Sequence, residues 1–311
     1  MQQIVFRTLS PQMTLTLNDA GTSKIEYTKN YTETGDEEPG TTAEELPYLE
    51  LFSFDCNSLG ITSDTVTCIG MPGQHTISTK IQPRTLAITL AYDGRTEGRD
   101  YENQMYKLRR LIMRCFPPGV RGELEYTNSN GTFFINCYAA EYPNMERSVG
   151  TRTIAAFCLI ADYPFWRQDC IGNLWTVEAG RAKAIVVLTK GDMCSPISGT
   201  IACTRTQSGI LTSYSAIHIW RTDENSDVSM KITKPLIAGQ KLIFNSGINN
   251  EIYFKLQDTD GTVRTANDYV DYQNSSLLSN DIERTVWQIN VNGDEGEIEI
   301  QMNYQNLYWA V

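Results

Sequence analysis

The sequence predicts a mainly β protein: an α+β N-terminal unit with one main helix, then a C-terminal β-sandwich. Three observations carry this. One long stretch alone, Asp100 to Gly119, has helical periodicity. Elsewhere apolar residues alternate over short runs, as in strands that bury one face. Beyond residue 166 helix-period runs vanish, and short strands recur between Gly, Asn and Asp in the manner of sandwiches. At 311 residues the chain is comfortable for two domains. The change in composition sets the expected units at 1–166 and 167–311.

The helix comes first, because the N-terminal unit is built around it. In DYENQMYKLRRLIMRCFPPG, residues Tyr101, Met105, Leu108, Ile112 and Cys115 fall at alternating steps of four and three. That spacing makes one apolar stripe on a helix of 3.6 residues per turn. Asp100 is the expected N-cap, its carboxylate accepting from an orphan N–H of the first turn. Pro117-Pro118-Gly119 ends the helix, since proline donates no backbone bond and pushes its predecessor out of the helical region. Lys107, Arg109, Arg110 and Arg114 lie outside the stripe. They form either an ordinary solvated face or a basic side that meets another subunit.

Taken in order, Ile4/Phe6 and Met13/Leu15/Leu17 suit a strand or hairpin. Residues 29–47, KNYTETGDEEPGTTAEELP, are acidic, apolar-poor and turn-rich, and read as a loop or an excursion that orders against a partner. Strand character resumes at 48–52, and Met71-Pro72-Gly73 marks a turn. In RTLAITLAY, Leu86, Ile88, Leu90 and Tyr92 share one face. After the helix, Glu123–Tyr126 and Thr132–Glu141 flank an Asn-Gly turn, a pair that favours the positive φ of tight hairpins. Thr153–Ala161 is apolar on both faces and reads as central. The apolar stripe of the helix should lie on the sheet holding strand 84–92. In the second half, eight short strands run from Ala184–Leu188 to Glu297–Tyr304. In the last, Ile298, Ile300, Met302 and Tyr304 alternate with polar residues.

The net charge of −11 argues against general nucleic-acid binding, which needs clustered Lys and Arg. The charge is uneven. Glu33, Asp36, Glu37, Glu38, Glu44, Glu45 and Glu50 load one segment, while Arg99–Arg121 is basic. Separate patches of opposite sign let copies pair with one another. MQQIVFRTLS lacks a signal-peptide pattern, and no run approaches the ~18 apolar residues of a membrane span. The chain therefore reads as one folded in cytosol, without a membrane. Its eight cysteines have no CxxC pair, so no zinc knuckle is expected and they read as reduced core residues.

No catalytic constellation emerges. His75 and His218 are the only histidines, and His218 reads as a partly exposed strand residue. Asp258-Thr-Asp260-Gly261 begins like a calcium loop but places Tyr269 where the closing Glu belongs, so it reads as a turn. Trp175, Trp220, Trp287 and Trp309 fit a sandwich core better than a sugar platform. No catalytic, cofactor or metal residue is expected.

The run from Arg84 to Trp166 resembles the siphovirus-type distal tail protein family. The resemblance rests on Arg84-Thr-Leu-Ala-Ile, Tyr106-Lys-Leu-Arg-Arg-Leu-Ile, Gly131-Thr-Phe-Phe-Ile, and Ala155 through Asp162-Tyr-Pro164-Phe-Trp166. Met71-Pro-Gly73 upstream, and Gly191-Asp192 with Ser195-Pro196-Ile197-Ser198-Gly199 downstream, extend it. Two departures stand out: a long acidic 29–50 stretch, and Asn292-Gly293-Asp294-Glu295-Gly296 where the family carries a Pro-Gly-x-Asn turn. The resemblance implies a belt domain followed by a galectin-like β-sandwich. Six belts would close a ring, a homohexamer, in the virion at the tail tip or baseplate, after assembly in the host cytoplasm. The implied partners are the tail tube, tail tip or hub (tail-associated lysin), tape measure and receptor-binding or fibre proteins. DNA only passes through the channel. The implied role is structural, not enzymatic. The expected subunit interface pairs Lys107, Arg109, Arg110 and Arg114 with Glu37, Glu38, Glu44 and Glu45. The reading from a different class is a carbohydrate-binding or carbohydrate-active sandwich.

Overall fold

A computed structural model of the chain describes residues 2–9, 12–19, 22–29, 40–47, 49–56, 59–66, 75–93, 101–146, 152–205, 216–222, 228–248, 251–271, 278–292 and 297–311. It divides into two compact units, Met1–Trp166 with Trp309–Val311, and Arg167–Tyr308.

The first unit is one large sheet with a helix packed on it, plus a separate two-stranded sheet. Its strands are β1 (Gln3–Leu9), β2 (Gln12–Asn18), β3 (Thr22–Lys29), β4 (Gly40–Pro47), β5 (Leu49–Asp55), β6 (Ile61–Val66), β7 (His75–Ile81), β8 (Arg84–Asp93), β9 (Arg121–Asn128), β10 (Gly131–Ala139), β11 (Asn144–Glu146) and β12 (Arg152–Ala161), with helix α1 (Tyr101–Cys115) between β8 and β9. The antiparallel path runs β4-β3-β2-β1-β9-β10-β12-β8-β5, while β6 and β7 pair only with each other. The sheet curls until β5 meets β2 and β3, where the Ser23 hydroxyl donates to Leu49 O at 2.7 Å. Alternation decides what lies inside. Ile4 and Phe6, Leu15 and Leu17, Leu86, Ile88 and Leu90, Phe133 and Ile135, and Phe157 and Leu159 are all buried. The pairs Ile4↔Leu17, Phe6↔Leu124 and Phe157↔Ile88 put them on one continuous face.

Three expectations change here. Within the 29–47 stretch read as a loop, 40–47 is strand β4, paired from Thr22↔Pro47 to Lys29↔Gly40. Its polar sequence suits an edge strand, where charged side chains discourage stray pairing. The helix lies, as expected, on the sheet that holds β8, chiefly over β1 and β2. Strand β12 is central, but among its described side chains only Ala155, Phe157, Leu159 and Ala161 are buried; Ile154 stays 38% exposed on its outer face. The hairpin loop is Ser129-Asn130, bounded by the pair Gly131↔Asn128. Gly131 takes φ 135° and Asn130 has no positive φ. The Asn128 carboxamide accepts from Asn130 N at 2.8 Å, so an Asx turn sets the reversal. Met71-Pro72-Gly73, Asp100 and Arg99 lie outside the described residues.

The second unit is a sandwich. After β13 (Trp166–Arg167), its strands are β14 (Ile171–Glu178), β15 (Ala182–Leu188), β16 (Ser195–Arg205), β17 (Ala216–Arg221), β18 (Ser229–Ile232), β19 (Lys241–Ser246), β20 (Ile252–Gln257), β21 (Val263–Thr265), β22 (Ser279–Asn280), β23 (Arg284–Asn292), β24 (Glu297–Tyr304) and β25 (Leu307–Tyr308). One sheet runs β14-β24-β16-β19-β20-β21 with β22 on β16, the other β15-β23-β17-β18. Strand β24 buries Ile298, Ile300, Met302 and Tyr304, as its alternation requires. They join Ile217, Ile219, Phe244, Trp287 and Ile289 in one core. Gly199 permits the tightest approach: a Cβ there would sit 2.0 Å from Gln301 O and 3.0 Å from the Phe244 ring. Asp258-Gly261 is a turn, with Gly261 N donating to Asp258 O and Gly261 at φ 86°. Residues 293–296 lie outside the described residues.

Candidate functional site

Helix α1 is positioned by its stripe and by its end. Leu108, Ile112 and Cys115 are buried, and Phe116 follows them into the core. The Phe116 ring lies 4.6 Å from Phe6 on β1 and 4.6 Å from Phe157 on β12. Gly122 makes room for this stack, since a Cβ there would meet the Phe6 ring at 2.6 Å. Gly119 then reverses the chain at φ 76° and donates to Ala139 O at 2.9 Å. Burial also pushes the Cys115 thiol up to about 12, which keeps it neutral and unreactive.

With the stripe fixed, Lys107, Arg109, Arg110 and Arg114 are all exposed, and Tyr106 joins them. Arg114 sits in the last turn, where a cation is favoured by the helix dipole. Glu44 and Glu45 are exposed on β4. Among the described residues, no ion pair links the two groups: Lys24, across from Glu45 in register, bonds Glu26 at 2.9 Å instead. The two patches therefore stand unneutralised by each other on one unit. Glu37 and Glu38 lie outside the described residues.

One residue that sequence reasoning took only as a strand opener proves central. Arg84 is 0% exposed, and its guanidinium donates to Pro164 O at 2.6 Å, to Cys56 O and to Trp309 O. It ties three distant segments of the first unit together through carbonyls. Burial lowers its affinity for the proton, while the nearby Cys56 and Asp55 raise it. The same burial pushes the Cys56 thiol up. The signal was in the parity: Arg84 shares the inward face of Leu86, Ile88 and Leu90.

The tryptophans do not assemble into a platform. Trp287 is 0% exposed and donates to Asn280 Oδ1 at 2.8 Å. Trp175 packs against the sandwich core. Trp309 belongs to the first unit, not to the sandwich, and packs edge-on against Phe165 at 5.1 Å. Trp220 stacks on His218 at 4.4 Å. His218 is half-buried with Nε2 unpartnered; burial and the nearby Lys231 lower its pKa. Cys56, Cys115, Cys137 and Cys203 are buried, but Cys170 and Cys194 are exposed, contrary to a uniform core reading. The Cys194 thiol lies 3.6 Å from the Asp281 carboxylate, which itself pairs with buried Arg221 at 2.7 Å. Cys68 lies outside the described residues. Among the described residues no group of three or more His, Cys, Asp or Glu gathers to hold a metal, and no helix is long and apolar enough to cross a membrane.

Comparison with known proteins places this geometry. The family model of the phage tail protein RIFT-related domain matches residues 46–158, which include β5, β8, α1, β9 and β10. No curated protein matches. Among solved structures, the Dit protein of phage SPP1, described as a paradigm of the hub adsorption apparatus in Gram-positive infecting phages, aligns with TM-score 0.55. It is 11% identical, over 84% of this chain and 93% of that one. A chain of the phage p2 baseplate in its activated conformation aligns at TM-score 0.42 and 11% identity, over 97% and 98% of the two chains. A fructofuranosidase of Schwanniomyces occidentalis reaches TM-score 0.21 at 9% identity, over 97% of this chain and 69% of that one. The matched domain supports a structural part in a phage tail. Residues 46–158 match the phage tail protein RIFT-related domain, and the chain has the fold of a siphovirus-type distal tail protein.

Proposed function

We propose that six copies of this chain close a ring at the distal end of a phage tail. The ring joins the tail tube to the tip or baseplate and anchors tip and receptor-binding proteins, while DNA passes through its channel. The protein acts by assembly and not by catalysis. It is built in the host cytoplasm and resides in the virion. The tail tube, hub and tape measure proteins are its neighbours. The units divide at residues 166 and 167, as belt and galectin-like sandwich.

The observation that carries this reading is the pair of unneutralised patches on the unit that holds the matched domain. A ring is a heterologous assembly, so each subunit needs two different complementary surfaces. The exposed Lys107, Arg109, Arg110 and Arg114 and the exposed Glu44 and Glu45 supply them. Rim charges of this kind steer and register association more than they tighten it.

The test is the mass of the assembly by light scattering, with negative-stain images for symmetry. The wild type should give a six-fold ring. Arg109→Glu/Arg110→Glu/Arg114→Glu should weaken it at least tenfold in dissociation constant, and added Glu44→Lys/Glu45→Lys should restore part of the loss. A wild-type ring with unchanged mass in the triple variant would remove these charges from the interface.

A further inference from the structure

The two open sheets of the sandwich end in the edge strands β14, β21, β15 and β18. Sheet proteins blunt such edges by covering them, shortening them or placing charge on them. Strand β18 is covered by residues 269–271: Thr233 N donates to Tyr269 O at 3.0 Å, and Asp271 N to Lys231 O at 2.9 Å. Strand β21 has three residues. On β14, the Lys183 ammonium takes Thr176 O at 2.8 Å, in the middle of the strand.

Strand β15 keeps its edge open. Thr189 N donates to Glu283 O at 3.0 Å, and this pair continues the β15–β23 register. Antiparallel bonds alternate along a strand, so Lys183, Ile185 and Val187 bond β23. The N–H and C=O groups of Ala182, Ala184, Val186 and Leu188 point to the open side. Leu188 O accepts from the Tyr304 hydroxyl at 2.9 Å. The other outward groups of Ala184, Val186 and Leu188 have no partner among the described residues. The side chains of these four residues are exposed and uncharged, Val186 at 52% and Leu188 at 66%. Backbone groups in such a row are satisfied by water or by another strand.

We propose that β15 takes up an extended segment of a partner protein as a fifth strand of the β15-β23-β17-β18 sheet. The occupant follows from the groups on offer. Alternate N–H and C=O along roughly 20 Å of strand match a second extended backbone, and an apolar side chain alone cannot satisfy them. Ala182 and Ala184 leave room for large side chains opposite them, while Val186 and Leu188 suit branched apolar ones. Lys183, Lys190 and Arg284 stand along this edge with Glu283, and Glu178 is paired with Arg181 at 3.0 Å. That balance favours acidic residues at the ends of the segment. It disfavours a second copy of this chain, which would bring the same cations to the same edge. The site lies on the second unit and does not depend on the ring.

The test uses the full chain and a synthetic peptide with blocked ends, Asp-Thr-Val-Thr-Val-Thr-Val-Asp. Titrating it in should slow amide hydrogen exchange at Ala184, Val186 and Leu188 by about tenfold, and leave Ile185 and Val187, already bonded to β23, unchanged. A peptide of the same composition with its alternation scrambled should bind about tenfold more weakly, and so should one ended by Lys in place of Asp. Val186→Pro removes one outward N–H and spares the β23 ladder, so binding should fall about tenfold while circular dichroism stays unchanged. Val186→Lys keeps the backbone donor and should weaken binding by placing charge on the edge. Unchanged exchange at these three amides in millimolar peptide, or full binding by both variants, would overturn the site. Slow exchange there without peptide would overturn the partner reading: the edge then belongs to a second copy if dilution speeds exchange, and to the chain itself if it does not.

Discussion

The two units use the same material to opposite ends. The sandwich presses the apolar faces of two sheets together, and Ile217, Phe244, Trp287, Ile289 and Ile300 are wholly or almost wholly buried between them. The first unit curls a single sheet around its core and seals it with α1. That solution leaves Ile154 on β12 and Ile61, Ile77 and Ile81 on β6 and β7 exposed. The difference lies in the number of layers. A sheet has two faces, and each unit covers one face of each sheet; the sandwich likewise leaves Leu174, Val186 and Leu188 exposed.

The strongest way to break this comparison is to open the sandwich core. Trp287→Ala removes a fully buried indole and leaves Asn280 Oδ1 without its donor. It should cost about 4 kcal/mol. In a denaturant titration, the sandwich transition should shift while the first unit's stays in place. A joint shift would mean the units unfold as one.

Arg84→Ala is the matching blow to the first unit. It strips the hydrogen bonds that tie Cys56, Pro164 and Trp309 to one guanidinium. A loss of about 3 kcal/mol is expected, read as a lower midpoint for the first unit's transition. Arg84→Lys should recover only part, because an ammonium lacks the planar fork that reaches separate carbonyls. Full recovery by lysine would show that charge alone mattered.

The smallest effect sharpens the comparison from the sandwich side. His218 has a lowered pKa from burial and from Lys231, so its neutral form is favoured in the folded state. Its contribution is fully present above the unfolded value of about 6.5 and is lost as pH falls from there through the folded value. His218→Phe keeps the stack on Trp220 and removes the proton. Between pH 7.5 and 5 the Tm of the wild type should fall further than that of the variant. Parallel profiles would show that His218 titrates alike folded and unfolded.

Much of this was legible in the chain. Alternation at Leu86, Ile88 and Leu90, and from Ile298 to Tyr304, matches buried faces residue by residue, because period-two burial writes itself directly into a strand. The stripe Leu108, Ile112, Cys115 did the same for the helix and thereby fixed which cations are exposed. Strand β4 escaped notice because an edge strand buries little, and Leu46 alone among its described side chains is buried. The hairpin turn misled because Asn128 bonds its own backbone two residues on, a choice that Asn-Gly composition does not specify.

By itself, the sequence determined which residues form strands and the helix, and which side of each is apolar. Those are local properties, set by periodicity and by proline and glycine. Only the tertiary structure decided which strands neighbour one another, that the curled sheet brings β5 to β2 and β3, and that Arg84 collects carbonyls from residues 56, 164 and 309. Only it revealed that Ile61, Ile77, Ile81 and Ile154, apolar residues like any others in the chain, are left outside. Pairing and closure depend on contacts distant in sequence, which no local pattern encodes.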